Sequence, residues 1–254
     1  MSNVDTTPAA NEINHVLVSF LQQARQQGII TLTTTGNHQA DSAINQKIIG
    51  DSLRAFTAGH PLFVENGLRF EVEPSPRHWY DFLIRSDDDT VWLPINLKVS
   101  SCLGRDDLSS KEGLFYAVTG IRPQDVQIRG WDNYFGQLAS HVKLFGCAAD
   151  YYYLVVDKSS IDSEQSVFWT SLLQLQRVHP NGNRPPFQCN WSENRERATW
   201  SRQRAIGNLL TALNATVELR AEARDSCHKY LGSLLGGLRE GPSPCAPDSP
   251  QWIP

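Results

Sequence analysis

The chain has no paired-cysteine motif, no glycine-rich phosphate loop of either standard type, no internal repeat and no apolar run long enough to span a bilayer. Its five cysteines (Cys102, Cys147, Cys189, Cys227, Cys245) are odd in number and widely spaced, with neither CxxC nor HxxxH among them. That pattern argues against a structural zinc site and for reduced thiols. The opening MSNVDTTPAANEIN lacks a basic segment and an apolar one, so a cytoplasmic protein with no membrane partner is expected. An excess of positive charge is missing too. Lys and Arg number 23 against 27 Asp and Glu, a net charge of −4 that disfavours a nonspecific nucleic-acid coat. It does not exclude an enzyme with acids at one point and bases along a cleft. No Gly-x-Ser-x-Gly elbow or Cys/His signature occurs. An unrelated hydrolase using His141 or Cys147 therefore has little to rest on, and His141 falls on a helix where packing or solvation is commoner than catalysis.

What is present is an ordinary globular composition, 20% charged and 40% hydrophobic over 254 residues. Asn11 to Gln27 places Ile13, Val16, Leu17, Phe20, Leu21 and Ala24 at helical spacing, with Gly28 as its stop. Ile29 to Thr35 is short and β-branched, a candidate strand. Ser42 to Thr57 predicts a helix capped by Asp41 or Ser42. Its apolar residues fall on two sides, which suggests a helix sandwiched in a core. Asp51 lies seven residues after Ile44, on one of those faces, where a carboxylate is costly unless paired or bound to metal. Cys102 to Ile128 reads as a long polar connection. Trp131, Tyr134, Phe135, Leu138, Val142 and Phe145 predict an amphipathic helix, and Tyr151 to Val156 a buried strand. Val167 to Leu175 fits strand or short helix. Asn181 to Pro186 is a loop, about Arg202 to Tyr230 a helix, and Gly241 to Pro254 a loosely held tail. The order implies an α/β fold, a mixed sheet flanked by helices, over residues 1–240.

The most informative stretch is Trp79 to Ser101, WYDFLIRSDDDTVWLPINLKVSS. Val91, Leu93, Ile95, Leu97 and Val99 alternate with Trp92, Pro94, Asn96, Lys98 and Ser100, the period of a strand. Asn96 and Lys98 therefore share a face. Tyr80 to Arg85 predicts the preceding strand, with Asp87-Asp88-Asp89 as the turn. Such a hairpin brings Asp81 near Asn96 and Lys98, joining a carboxylate, an amide oxygen and an ammonium at one sheet surface. The plain alternative is that Asn96 and Lys98 are the solvated face of an edge strand, which Pro94 would suit.

With its acid at the start of a hairpin and its Asn-x-Lys on the next strand, this segment resembles the PD-(D/E)xK nuclease superfamily, which includes many type II restriction endonucleases. Asp81 matches the first acid, Asn96 the second position and Lys98 the lysine. Asparagine at the second position is a variant known in the family. Pro94 to Ser101, and more faintly Ala117 to Ile121, are similar to stretches of a restriction enzyme of that variant. The family's usual proline is not adjacent to Asp81, although Pro74 and Pro76 lie upstream. The resemblance implies a restriction-endonuclease-like core and Mg²⁺-dependent hydrolysis of double-stranded DNA at a short specific sequence. It also implies metal ligands from Asp81, Asn96 and the Leu97 carbonyl, with Lys98 acting on the attacking water. A helix before the hairpin often adds one more acid, and Asp51 is the candidate.

Residues of the type that read bases or bind phosphate occur in three stretches: Arg105 with Lys111; Arg122, Gln124 and Arg129; and Arg184 with Gln188 and Asn190. Each suits a base contact, a phosphate contact or an ordinary surface. A nonspecific or repair nuclease, and an inactive DNA-binding protein of the same fold, stay open beside the restriction enzyme. A homodimer is the simplest way to cut a palindrome on both strands.

Overall fold

A computed structural model of the protein describes residues 8–73, 78–108, 110–160, 165–182, 186–219 and 221–239. The proline-rich tail and Arg184 lie outside them.

Helix α1 (Pro8–Gln26) buries Ala10, Ile13, Leu17, Leu21 and Ala24, spaced three or four apart along one face. Gly28 ends the segment at φ +70°, donating its N–H to Arg25 O. Residues 29–35 form no strand. Their partner is a side chain of α2 (His38–Thr57): Asn45 accepts from Thr33 N at 2.7 Å and donates to Thr33 O at 2.9 Å. The cap of α2 is Asn37, whose side chain accepts from Ala40 N, rather than Asp41 or Ser42. Asp41 binds the Thr35 and Gly36 N–H groups instead. Nor is α2 sandwiched. Ile49 and Leu53 are buried, whereas Ile44 is 43% exposed.

A short helix α3 (Pro61–Glu65) leads into a meander of β1 (Leu68–Val72), β2 (Phe82–Ser86) and β3 (Trp92–Ser100). The turn between β2 and β3 works as its acids suggest. Asp89 takes φ +56°, and Asp88 accepts from Ser86 Oγ and from Thr90, bonds that hold its carboxyl down to about 2. Next come β4 (Arg105–Asp107), α4 (Lys111–Thr119) and α5 (Gly130–His141), before β5 (Tyr152–Asp157) lies parallel to β3. Strand β6 (Val167–Ser171) closes the far edge antiparallel to β5. The remaining elements are β7 (His179–Pro180), β8 (Phe187–Asn190), α6 (Arg202–Glu218) and α7 (Ala221–Arg239).

The fold is therefore α/β, a mixed sheet ordered β1-β2-β3-β5-β6 flanked by helices, with a small second sheet ordered β4-β8-β7. Strand β5 is buried at every position because it is covered on both faces. Phe82, Ile84, Leu93, Ile95, Tyr152 and Leu154 form one core with residues of α1 and α2. Tyr151, Tyr153 and Val155 join α4, α5, α6 and α7 in the other. Within that second core, buried Arg202 spans three segments, donating to Lys143 O, Ala149 O and Ala117 O.

Several sequence expectations are corrected here. The stretch after Cys102 contains β4 and α4. Residues 113–119 of α4 are all buried, so no polar face marks its period. Helix α5 stops at His141, where Val142 turns out at ψ 130°, and Phe145 is 66% exposed. The single helix expected from Arg202 is two, α6 closing as Leu219 N–H donates to Thr216 O. Val167 to Leu175 is both forms in turn, a strand and then one tight turn at Leu172–Gln174. Finally, β3 is not an edge strand. Pro94 sits ahead of the β5 ladder, which opens only at Ile95, so its missing N–H costs no bond on that side.

Candidate functional site

Asp81 stands where β2 begins. Its N–H donates to Ile95 O at 3.0 Å, and its Oδ2 accepts from Leu97 N at 2.7 Å. The ladder of β2 with β3 ends at Phe82 opposite Ile95, and Asp81 N–H reaches that same Ile95 O, so Asp81 stands one residue outside the ladder, beside Leu97. Phe82 packs into the α1/α2 core. The charge of Asp81 acts on Lys98 and Tyr151, which places it on the face of Asn96 and Lys98 rather than that of Phe82.

Tyr151, immediately before β5, fixes the corner. Its buried hydroxyl donates to Trp79 O and interacts with the Asn96 amide and with the charge of Asp81. Asn96 Oδ1 is buried and has no hydrogen-bond partner. Asn14 Oδ1, Asp150 Oδ2 and Gln174 Oε1 are buried and unpartnered as well; Asn96 differs in sharing its surroundings with Asp81 and Lys98.

Burial raises the Asp81 carboxyl above the ordinary range, a shift opposed by the Leu97 N–H and by the charges of Lys98 and His78. Burial lowers the Lys98 ammonium, against the pull of Asp81, Asp106 and Asp107. Lys98 Nζ donates to Asp107 O at 2.7 Å and to Leu108 O at 3.4 Å. A cleft of about 640 Å³ opens beside it, lined by Thr33, Asp41, Asn45, Lys98, Asp106 and Lys158 among others. Leu97, Lys98 and Val99 reach this cleft whereas Asp81 and Asn96 do not line it, so it gives access to the lysine and not directly to the oxygen donors.

Asp51 is not brought to this group. Its carboxylate is 49% exposed on α2, paired with Lys47 at 2.5 Å and Arg54 at 3.4 Å. The pattern that suggested a buried acid assumed an apolar Ile44 face, and Ile44 itself is exposed.

The candidate DNA contacts have varied surroundings. Arg105, Gln124 and Arg129 are exposed, and Lys111 lies 5.7 Å from the ring centres of both Trp131 and Tyr134. Arg122 stacks on Trp92 at 3.7 Å and pairs with Asp89 at 3.1 Å. Gln188 donates to the Asp107 carboxylate at 3.0 Å, and Asn190 caps the turn at Ser192. Arg122, Gln188 and Asn190 thus already serve internal contacts. Four neighbours of the site were not legible from the sequence: His78, Asp106, Asp107 and Tyr151. Tyr151 sits in an apolar run with no polar signal, and only the pairing of β3 with β5 brings it to Asn96.

Among the described residues, no group of three or more His, Cys, Asp or Glu side chains could hold a metal ion. The described cysteines Cys102, Cys147, Cys189 and Cys227 are free thiols. Burial pushes Cys102 up to about 12 and raises Cys189 further, which makes both poor nucleophiles. His141 Nδ1 lies 2.9 Å from Gln137 O, one helical turn back. Among the described residues no helix is long and apolar enough to cross a membrane. No known protein-family model matches the chain, and no curated protein matches it.

Proposed function

We propose that the protein is a Mg²⁺-dependent endodeoxyribonuclease that hydrolyses double-stranded DNA at a short specific sequence, a type II restriction endonuclease of the PD-(D/E)xK kind. The observation that carries this reading is the unpartnered Asn96 Oδ1, buried on the same sheet face as the desolvated Asp81 carboxylate. Lys98 follows two residues later on that face. An amide oxygen and a carboxylate buried together are costly unless a cation satisfies both. The donors are all hard oxygens, which suits Mg²⁺. Asp81, Asn96 and the Leu97 carbonyl would hold the ion, which when bound neutralises charge on the scissile phosphate. Asp81 keeps one oxygen on the Leu97 N–H, fixing its orientation without any ion. Lys98 would hydrogen-bond the attacking water and the phosphate, and burial favours its proton-accepting form.

Digestion of a sequenced DNA with Mg²⁺ and with chelator tests the proposal. Discrete fragments with Mg²⁺ alone support it, a smear points to a nonspecific nuclease, and intact DNA refutes it. Lys98→Ala should abolish cleavage while DNA affinity stays within roughly threefold of wild type. Full cleavage by that variant would mean the wrong residues have been chosen.

A second reading is a DNA-binding protein of the same fold that does not cut. Asn96 in place of an acid favours it, as does the tether of Lys98 to the Asp107 and Leu108 carbonyls. Binding to DNA without cleavage in any divalent metal would select it. For the cutting enzyme a twofold dimer is proposed for double-strand scission, and sedimentation with and without DNA would remove that part if only monomer appeared.

A further inference from the structure

The ammonium of Lys98 is held by backbone atoms of a strand that belongs to the other sheet. Its strong bond goes to Asp107 O at 2.7 Å, at the end of β4. Strand β4 is only three residues long and, among the described residues, pairs with β8 alone. So short a ladder holds little by itself, and the Asp107 side chain adds two ties across the small sheet. Asp107 Oδ1 accepts from Asn181 Nδ2 at 2.8 Å and from Gln188 Nε2 at 3.0 Å. Asn181 follows β7, and its N–H donates to Thr216 of α6, so the clamp is anchored in the helical layer. One residue thus faces two ways, its carboxylate to the small sheet and its carbonyl to the lysine.

We propose that Asp107 is a positioning residue that sets where Lys98 stands, coupling the β4-β8-β7 sheet to the Asp81–Asn96 site. It does so by its hydrogen-bonded clamp rather than by its charge. The catalytic consequence rests on the nuclease reading above; the placement of Lys98 does not. Gln188 then has a second meaning. A ligand that drew its amide away from Asp107 would loosen β4 and with it the lysine, so occupancy of the small sheet and the state of the site are linked.

The test reads Lys98 directly. The full chain without DNA is treated with an amine-acylating reagent, and modification of Lys98 is followed by peptide mass spectrometry. Asp107→Ala removes clamp and charge together. Asp107→Asn removes the charge but keeps an oxygen that can accept from Asn181 and Gln188. Lys98 should be acylated roughly fivefold faster in Asp107→Ala, and within about twofold of wild type in Asp107→Asn. On DNA at saturation, Asp107→Ala should lower the cleavage rate about tenfold or more with affinity within about twofold, and Asp107→Asn should restore most of that rate. Equal acylation of wild type and Asp107→Ala overturns the proposal. So does equal acceleration in the Ala and Asn variants, because charge would then be the cause. Should Asp107→Ala fail to fold by thermal melting, Gln188→Ala replaces it, and unchanged acylation there is equally fatal. Wild type that cuts no DNA but shows the acylation pattern refutes the nuclease and leaves the positioning role standing.

Discussion

Asn96→Asp puts a second carboxylate beside Asp81, whose Oδ2 already binds the N–H of the next residue, Leu97. Neighbouring carboxylates that shift one another's protonation stand about 4–6 Å apart. Two charges at that separation repel by about 3 kcal/mol at an effective dielectric of about 20. Asp81 already sits above the ordinary carboxylate range through burial. Without metal, the variant should therefore be less stable than wild type by up to about 3 kcal/mol near neutral pH. The deficit should shrink in acid, where one proton shared by the pair removes the repulsion. With a divalent ion the sign reverses, because the added charge attracts the cation, and Mg²⁺ should bind about 100-fold tighter. Thermal melts in chelator and across a Mg²⁺ titration measure both halves without reference to DNA cleavage. A variant that melts like wild type in chelator and shows the same Mg²⁺ midpoint would refute the reasoning, since Asn96 and Asp81 would then not address one cation.

Other outcomes follow from the same structure. Asp150 is 2% exposed, and burial raises its carboxyl to about 6. The native state therefore holds more protons than the unfolded chain between about pH 4 and 6, and stability from this group falls by about 3 kcal/mol as pH rises through that window. Asp150→Asn should be more stable than wild type at pH 7.5 but not at pH 4, read by urea unfolding; parallel curves at the two pH values would count against it. Arg202→Ala leaves the carbonyls of Ala117, Lys143 and Ala149 without their charged donor. It should cost about 4 kcal/mol in the same assay, and a loss under about 1 kcal/mol would show that water replaces the guanidinium. Asp51→Ala removes only a surface pairing with Lys47 and Arg54, so Mg²⁺ affinity should stay within about twofold. A large fall in affinity would return Asp51 to the site.

The sequence was most legible where one face of an element is apolar and the other polar. Helix α1 and the hairpin of β2 and β3 carry their periods openly, and Gly28 and the triple aspartate mark their ends. The α4 segment was illegible for the opposite reason, since a helix buried all round has no contrast to reveal its period. Residues 29–35 misled because their β-branched composition suits a strand, while the partner that takes up Thr33 is the Asn45 side chain. The spacing of Asn96 and Lys98 gave their common face, and the hairpin gave Asp81. The tether of Lys98 to β4 depends on pairing between strands separated by 81 residues at Asp107 and Gln188. No local pattern encodes that distance. Asp51 failed because two apolar stripes on α2 were read as two buried faces, when only the stripe of Ile49 and Leu53 is covered.

The packing of α1 has a consequence for synthesis on the ribosome. Gln22 of that helix donates to Val167 O, and Arg25 donates to Ser166 O and Asp157 O. The strand that receives α1 is thus encoded 145 residues after it. At cellular elongation rates that interval lasts about 7–30 s, far longer than a helix needs to form. Throughout it, the stripe of Ile13, Leu17, Leu21 and Ala24 has no β6 to rest on. The growing chain must shelter that stripe in a provisional way, against α2 or a chaperone, and then exchange the shelter for β6. The first helix therefore cannot take its final seat until β6 has been made, while α6 and α7 are still to come.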